Sequence, residues 1–404
     1  MAIKIIANIF AFFFFPLARK KMQNTNFSPG EHKGSHRRFA LIGGFLGAGK
    51  TTAVGAFANA LLDAGMRPAL ITNDQGEGLI DSQAAAASGA PMKEITGGCF
   101  CCRADALGAA LAELDEESRP DVFLAEPVGS CTDLVATVLL PLREIFAEPV
   151  TIAPMAVVVD SIRLWDHYFG PARGRGFSKE VRYIYEKQLE EAEIIALNKV
   201  DLLSEAKLAK LEKRLAAGYP GREVIPVSAR NGDGMKRWFL AMMGKSSSPA
   251  DVIDLDYARY GAGEALLGWY NARISAEAKA GGIDANRVAL ELASGIQRIL
   301  EDSHAEIAHL KVSIGGGGGF AVANAVRNGN GASLSRRAAE RHESAVEILI
   351  NVRAECDPDL IADGVGIAIG SVREALALAL DWRGESAFKP GQPNPTYRVG
   401  SVAS

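Results

Sequence analysis

A glycine-rich segment near residue 45 carries the residue types that bind a nucleoside triphosphate. Residues 44–51, GFLGAGKT, match the pattern G-x-x-x-x-G-K-[ST] at every fixed position. Glycines let backbone N–H groups curl around phosphate oxygens, Lys50 adds a cation for the β- and γ-phosphates, and the Thr51 hydroxyl can bind Mg²⁺. We prefer this interpretation to a strand–helix turn with a chance lysine. The predicted phosphate-binding residues are Gly44, Gly47, Ala48, Gly49, Lys50, Thr51 and Thr52.

A second motif, NKVD beginning at Asn198, has the residue types that recognise guanine. The Asp201 carboxylate can accept hydrogen bonds from the N1–H and the exocyclic amine of guanine, whereas adenine would leave it unpaired. Asn198 can reach the other edge of the base, with Lys199 beside it. The backbone at Ser228 and Ala229, after the next apolar run, is predicted to contact the guanine carbonyl. The motif favours GTP over the alternative of an ATP-dependent, kinase-like enzyme.

Acidic residues that follow apolar runs are candidates for the Mg²⁺ side of the site. Glu126 follows the run 121–125, where P-loop enzymes place their second Mg²⁺-side element. Gly129 allows a backbone N–H to approach the γ-phosphate. Asp74 and Glu77 lie in an acidic loop that is either a switch segment, with Asp74 on the Mg²⁺ side, or a solvated loop. The candidate catalytic residues are Lys50, Thr51 and Glu126.

Three cysteines within four positions, Cys99, Cys101 and Cys102, could bind a transition metal. Thiolates bind Zn²⁺ and other borderline-soft ions. An extended strand would point Cys102 away from the other two, so a turn is needed, which Gly97-Gly98 could provide. Three ligands leave one tetrahedral position open, which suits a metal that is handed on. A redox pair is the competing interpretation. Cys131 is either a fourth ligand or an inert buried thiol.

These motifs follow apolar runs that alternate with helical patterns between residues 38 and 245. Continuous apolar runs are typical of parallel strands covered on both faces, so the pattern predicts an α/β fold with a doubly wound, mostly parallel P-loop NTPase sheet. Ligands in such sheets bind beyond the carboxyl ends of the strands, where the motifs fall. The predicted strands are 39–43, 68–73, 121–126, 153–160, 193–198 and 223–228, with helices at 52–64 and 179–191.

A smaller C-terminal α+β domain is predicted over residues 251–388, after a serine-rich linker. A capping box at Ser371 predicts a helix that continues to Trp382. Residues 389–404 are predicted to be an extended tail, and residues 1–37 an N-terminal extension. The other predicted elements of this domain are strands at 269–276, 309–314, 320–326 and 345–352 and a helix at 284–303.

Taken together, the motifs resemble those of the CobW-like metallochaperone P-loop GTPases, relatives of the nickel-insertion GTPases of hydrogenase and urease maturation. The resemblance covers about residues 38–230 and rests on GGFLGAGKTT, NDQGEGLID, the CxCC segment, Glu126 with Gly129, and NKVD. It implies GTP and Mg²⁺ as cofactors and hydrolysis of GTP to GDP and phosphate. It also implies a transition metal, Zn²⁺ or Co²⁺, that the three clustered cysteines carry to a client protein or cofactor pathway.

The chain departs from the family pattern at three places. Residues 126–129 are EPVG where the family has E-T-T-G or E-S-T-G, so two hydroxyls and one N–H are missing. Gln75 replaces the usual aromatic residue, and the histidine-rich tract is absent, which argues against metal storage. A regulatory or adaptor GTPase is the alternative function. It would gate assembly of an enzyme such as a cofactor-dependent methyltransferase, with structural or redox-active cysteines.

Composition limits the location and the partners. A net charge of −4 gives no general surface for nucleic acid. Five cysteines, three of them clustered, indicate a reducing cytoplasm rather than a disulfide framework. The apolar run 5–18 is too short for stable membrane insertion, so we favour translation from Met22 over a membrane-surface anchor. A homodimer is compatible with the resemblance.

Overall fold

The computed structural model describes residues 37–73, 89–145, 150–170, 176–247, 252–278, 281–316, 319–339, 341–342 and 345–400. These residues form two β-sheets, one of eight strands and one of six. The predictions for residues 1–36, including the start at Met22, lie outside the described residues. So do those for Asp74, Gln75 and Glu77. No helix within the described ranges is both long and apolar enough to span a membrane.

The first sheet is parallel throughout, with the order β3-β2-β4-β1-β6-β7-β8 and with β5 paired to β1. Buried clusters cover both of its faces, which confirms the predicted doubly wound α/β class. We did not predict β3 and β5, because both are short and β3 contains Lys93 and Glu94. The strands are β1 (Arg37–Gly43), β2 (Pro68–Asn73), β3 (Met92–Ile95), β4 (Val122–Glu126), β5 (Val150–Ile152), β6 (Ala156–Asp160), β7 (Ile194–Asn198) and β8 (Glu223–Pro226).

Helices connect these strands and supply the covering layers. Phe39 and Leu41 pack into one layer, whereas Ala40 and Ile42 pack into the other, as expected for a central parallel strand. The helices are α1 (Lys50–Asp63), α2 (Ala104–Ser118), a π-helical turn (Val135–Leu139) that continues into α3 (Leu140–Ile145), α4 (Ser161–Phe169), α5 (Lys179–Glu191), α6 (Glu205–Gly218) and α7 (Met235–Gly244).

The second sheet is antiparallel, with the order β12-β11-β10-β13-β9-β14. Helices α9 (Ala285–Asp302) and α10 (Pro358–Ala375) share a buried cluster with this sheet, so this half has the predicted α+β class. Helix α8 (Tyr257–Leu266) leads directly into its first strand. The strands are β9 (Leu267–Ala278), β10 (Glu306–Gly316), β11 (Gly319–Ala325), β12 (Ser333–Arg336), β13 (Val346–Glu355) and β14 (Leu378–Phe388).

The helix predicted from Ser371 to Trp382 is wrong at both ends. Helix α10 begins at Pro358, after Asp357, whose side chain caps it by accepting the N–H of Asp359. Ser371 lies inside α10, and Trp382 lies in β14 opposite Ile274 of β9. Pairing with β9, more than 100 residues earlier in the chain, overrides the local helical signal.

The two halves of the chain share a core. Leu255, Tyr260 and Trp269 belong to the same buried cluster as Phe123 of β4. Helix α8 packs against α5, which covers the first sheet, although α8 lies beyond the predicted linker.

Candidate nucleotide and metal site

The loop between β1 and α1 adopts backbone angles that favour glycine. Gly44, Gly47 and Gly49 have φ values of 133°, 76° and 94°. A Cβ on Gly44 would lie 2.2 Å from the Val158 carbonyl oxygen, and one on Gly49 would lie 2.6 Å from Asn198 Nδ2. No side chain fits at either position, so the loop can form only with glycine there.

The structure brings the candidate Mg²⁺-side residues together. The Thr51 hydroxyl donates to Glu126 Oε1 at 2.9 Å, because β4 lies next to β1 in the sheet. A Cβ on Gly129 would lie 2.9 Å from Lys50 Nζ, so the turn after β4 lies against the P-loop lysine. Mg²⁺ prefers oxygen ligands, and this hydroxyl and carboxylate could share one ion. Asp74 lies outside the described residues.

Asn198 connects the P-loop to the next strand end. Its Nδ2 donates to the Ala48 carbonyl at 2.8 Å, and its Oδ1 accepts from the Ala229 N–H at 3.0 Å. Ser228 is fully buried, and its N–H donates to the Asp233 carbonyl. Through its two amide atoms, Asn198 therefore joins the P-loop to the loop that follows β8.

Lys199 forms a second connection to the P-loop. It has a left-handed φ of 64°, and its Nζ lies 2.6 Å from both the Gly47 carbonyl and Asp160 Oδ2. Burial raises the pKa of Asp160, but the charge and hydrogen bond of Lys199, together with Arg163, outweigh burial and hold the pKa below its ordinary value. Asp201 is exposed, which leaves its carboxylate accessible to a base. We did not predict Asp160, although an acid that ends the apolar run 155–159 was an available signal.

A turn gathers the three clustered cysteines. Gly97 and Gly98 have positive φ values, and the Cys102 N–H then donates to the Cys99 carbonyl at 3.0 Å. The Sγ atoms of Cys99 and Cys101 are 2.8 Å apart, those of Cys101 and Cys102 are 3.7 Å apart, and all three lie within 4.8 Å of one another. We call residues 97–102 the cysteine turn.

The cysteine turn has a donor set that suits Zn²⁺. With Zn–S bonds of about 2.3 Å, tetrahedral geometry separates neighbouring sulfurs by about 3.8 Å. Hydrogen bonds from Cys101, Cys102 and Cys131 hold the pKa of the Cys99 thiol well below its ordinary value. Hydrogen bonds to Cys102, Cys131 and Cys99, together with burial, raise the pKa of Cys101. Binding of an ion would release the protons that the thiols carry.

Asn73, at the end of β2, positions the cysteine turn. Its Nδ2 donates to the carbonyls of Ile95 and Gly98 at 2.9 and 2.7 Å, and its Oδ1 accepts from the Phe100 N–H at 2.9 Å. In the sequence, the one feature that could have indicated this positioning role is that Asn73 ends an apolar run. The residue directly before the acidic loop therefore supports the metal-binding segment.

Comparisons with solved structures give low overall similarity. HypB from Archaeoglobus fulgidus aligns with a TM-score of 0.37 and 19% identity, covering 52% of this chain and 90% of that one. The Zn(II)-bound YjiA GTPase from Escherichia coli aligns with a TM-score of 0.34 and 16% identity, covering 84% and 99%.

Sequence comparisons are more specific. Zinc chaperone CobW from Sinorhizobium sp is 28% identical over 213 residues, which cover 48% of this chain and 59% of that protein. Zinc chaperone YjiA from Escherichia coli (strain K12) is 30% identical over 178 residues, covering 44% and 52%. The chain therefore spans somewhat more than half the length of these two relatives. Residues 38–226 match the family model described as the CobW/HypB/UreG nucleotide-binding domain. Residues 38–226 of this chain are therefore similar to the nucleotide-binding domain of the CobW/HypB/UreG family.

Proposed function

We propose that this protein is a GTP-dependent metallochaperone that binds Zn²⁺, or Co²⁺, on Cys99, Cys101 and Cys102 and releases it to a client protein. The observation that carries the proposal is the double attachment of the cysteine turn to the nucleotide site. Asn73 joins the turn to β2, and Cys99 and Cys102 line one cavity with Cys131, which follows the γ-phosphate-side turn after β4. Two relatives are named zinc chaperones, which supports Zn²⁺ as the cargo.

GTP would occupy the loop between β1 and α1. Lys50 and the backbone N–H groups of the P-loop bind its phosphates, and Asp201 with Asn198 recognises guanine. Further contacts come from Gly44, Gly47, Ala48, Gly49, Thr52, Gly129, Lys199, Ser228 and Ala229. Thr51 and Glu126, with Asp74 proposed as a third residue, hold Mg²⁺, which neutralises phosphate charge during transfer.

Hydrolysis of GTP would depend on Lys50, Thr51 and Glu126. Pro127 has no N–H, and neither it nor the buried Val128 carries a hydroxyl that could position water. Gly129 lies beside Lys50, where a Cβ would come within 2.9 Å of Lys50 Nζ, and its backbone N–H is a candidate donor to the γ-phosphate. We therefore expect slow hydrolysis, which suits a protein that changes state once per delivered ion.

Coupling follows from the position of the cysteine turn between two nucleotide-responsive segments. A γ-phosphate that orders the loop after Asn73 or shifts the Glu126–Gly129 turn would move the sulfurs relative to one another. Because the geometry of thiolates determines Zn²⁺ affinity, nucleotide state would change how tightly the ion is held.

A titration of Zn²⁺ tests this proposal. The wild-type protein and Cys101→Ser are each measured with a GTP analogue and with GDP, and Cys356→Ser serves as the matched control. We expect the wild-type affinity to differ between nucleotides by about 10-fold, within the usual range of coupling between sites. We expect Cys101→Ser to bind weakly in both states and Cys356→Ser to behave as wild type.

Equal Zn²⁺ affinity in the wild type and Cys101→Ser, with either nucleotide, would contradict the proposal. The alternative, a regulatory GTPase that gates a client enzyme, predicts capture of the client that depends on nucleotide but not on Zn²⁺. The same proteins, tested for client capture with and without the metal, separate the two functions.

A further inference from the structure

Cys131 lies beside the cysteine turn although it comes from a different loop. It follows β4 by five residues and is 2% exposed. Its side chain lines one cavity with Cys99 and Cys102. Gln188 of α5 donates to the carbonyls of Gly129 and Cys131 at 3.0 and 2.8 Å, which fixes the loop. Sulfurs from two loops therefore line one cavity.

Glu264, on helix α8, lines the same cavity. Its side chain is 2% exposed, and neither carboxylate oxygen has a hydrogen-bond partner of ordinary geometry among the described residues. Buried carboxylates are normally paired with a cation or bound to a metal, so this one lacks the positive charge that its position requires.

The backbone holds Glu264 in this place. Helix α8 packs so closely on α5 that a Cβ on Gly263 would lie 2.7 Å from the Glu180 carbonyl oxygen. Asp256 caps the start of α8 by accepting the N–H groups of Ala258 and Arg259. The carboxylate is thus fixed by a capped and tightly packed helix.

A cavity of about 290 Å³ joins these groups. Its lining includes Cys99, Cys102, Cys131 and Glu264, and Tyr260 forms part of its wall. Thiols and a carboxylate that share one cavity are the donors that a borderline-soft divalent ion accepts.

We propose that Cys131 and Glu264 are ligands of the same metal ion as the three clustered cysteines, an inference that rests on the proposed function. Cys131 supplies the fourth thiolate of a tetrahedral site. Glu264 supplies a carboxylate oxygen from the second half of the chain. The four thiolates and the Glu264 carboxylate are five donors for an ion that binds four. One donor can therefore exchange with another, and such ligand exchange is needed for release of the ion to a client.

X-ray absorption at the zinc edge counts the sulfurs directly. The full chain with one equivalent of Zn²⁺ should show four sulfur neighbours at about 2.3 Å. In Cys131→Ser we expect three sulfurs and one oxygen, and the thiolate-to-metal absorbance of the Co²⁺ form should fall by about a quarter. Cys356→Ser, the same change at the remaining cysteine, should leave both signals unchanged. Three sulfurs in the wild type would overturn the role of Cys131, with no variant needed.

Competition with a chelator tests Glu264. Glu264→Gln keeps the shape of the side chain and should slow transfer of Zn²⁺ to the chelator, whereas Glu291→Gln, at a half-buried glutamate of α9, should not. Removal of Cys131 and Glu264 together should weaken Zn²⁺ binding by a further 10-fold or so beyond Cys131→Ser alone. An unchanged transfer rate in Glu264→Gln, with no further loss in the double variant, would overturn the role of Glu264.

Cys101→Ser separates this inference from the proposed function. If Cys101→Ser binds Zn²⁺ as the wild type does, the proposed function fails and the inference fails with it. If Cys101→Ser loses Zn²⁺ while Cys131→Ser and Glu264→Gln keep the wild-type spectrum and transfer rate, only the inference fails. Circular dichroism of the metal-free variants identifies any that do not fold.

Discussion

At the scale of single residues, Asn73 should affect metal binding without contacting the metal. Asn73→Ala leaves the carbonyls of Ile95 and Gly98 and the N–H of Phe100 without this partner, at a cost of about 1–3 kcal/mol in the free energy of unfolding. A loosened turn should also bind Zn²⁺ about 10-fold more weakly, as measured by chelator competition.

Asn328→Ala is the matched control for Asn73→Ala. Asn328 also bonds the backbone through both amide atoms, to Ala305 and Ile307, but it lies in the second half of the chain. It should lower stability and leave Zn²⁺ affinity unchanged. If the two variants lose equal Zn²⁺ affinity, Asn73 has no specific role at the cysteine turn.

Asp201 should determine the preference for guanine. Because Asp201→Asn removes a charged acceptor, GTP binding should weaken by about 10- to 100-fold relative to ATP, the worth of a hydrogen bond to a charged group. The side chain is exposed, so stability should not change. The measurement is competition of GTP and ATP for one fluorescent nucleotide, with the exposed Asp254→Asn as the control. An unchanged ratio of the two affinities would show that another residue selects the base.

The residues found from the sequence differ in kind from those that were missed. The P-loop and NKVD are local patterns in which spacing alone defines the chemistry, so the sequence predicts them. Asn73 and Glu264 act through partners more than 20 and more than 100 residues away in the chain. No local pattern distinguishes them from ordinary polar residues.

At the scale of secondary-structure elements, Glu191 makes stability depend on pH. It lies at the end of α5 and accepts the Thr132 hydroxyl at 3.1 Å and the Leu134 N–H at 2.7 Å, just before the π-helical turn. Burial, together with the charge of Asp133, raises its pKa to about 8 from 4.5. Between these values the folded chain keeps a proton that the unfolded chain has lost. The stabilising contribution is therefore fully present below pH 4.5 and is lost as pH rises toward 8.

Urea denaturation between pH 5 and 8.5 measures this effect. The free energy of unfolding of the wild type should fall by up to about 1.4 kcal/mol per pH unit more steeply than that of Glu191→Gln. Glu190→Gln, the same change at the more exposed neighbouring residue, should keep the wild-type slope. Parallel slopes for all three proteins would mean that Glu191 titrates normally.

The positions of the strands in the first sheet could be predicted from the sequence more accurately than those in the second sheet. Strands β1 and β2 are uninterrupted apolar or uncharged runs over most of their length, and their positions are local properties. The segment around Trp382 carries a helical signal but pairs with β9, because a free edge of the second sheet is available there. Tertiary pairing of this kind is not encoded in local periodicity.

At the scale of the whole molecule, residues 389–400 cover the cysteine turn. The Thr396 N–H donates to the Cys101 carbonyl at 2.8 Å, and Arg398 Nε lies 2.7 Å from the buried Asp133 Oδ2. These contacts join residues nearly 300 positions apart and could not be predicted from the sequence. The sequence indicates only that the tail is extended and rich in proline.

Arg398→Ala should uncover the cysteine turn. Loss of the ion pair with Asp133 should let the tail open locally, so an alkylating reagent should modify the clustered thiols several-fold faster. The control is Arg383→Ala, which removes an exposed arginine of β14. Equal modification rates in wild type and Arg398→Ala would show that the tail does not limit access to the thiols.

The central claim is that nucleotide binding and metal binding are energetically coupled. The affinity of the protein for a GTP analogue tests this claim most directly. Coupling between two sites is reciprocal, so the factor by which the analogue changes Zn²⁺ affinity must equal the factor by which Zn²⁺ changes analogue affinity. We predict that the dissociation constant of the analogue changes by about 10-fold when the wild-type protein is saturated with Zn²⁺, and not at all in Cys101→Ser. A dissociation constant that is the same with and without Zn²⁺ in the wild type would contradict the account.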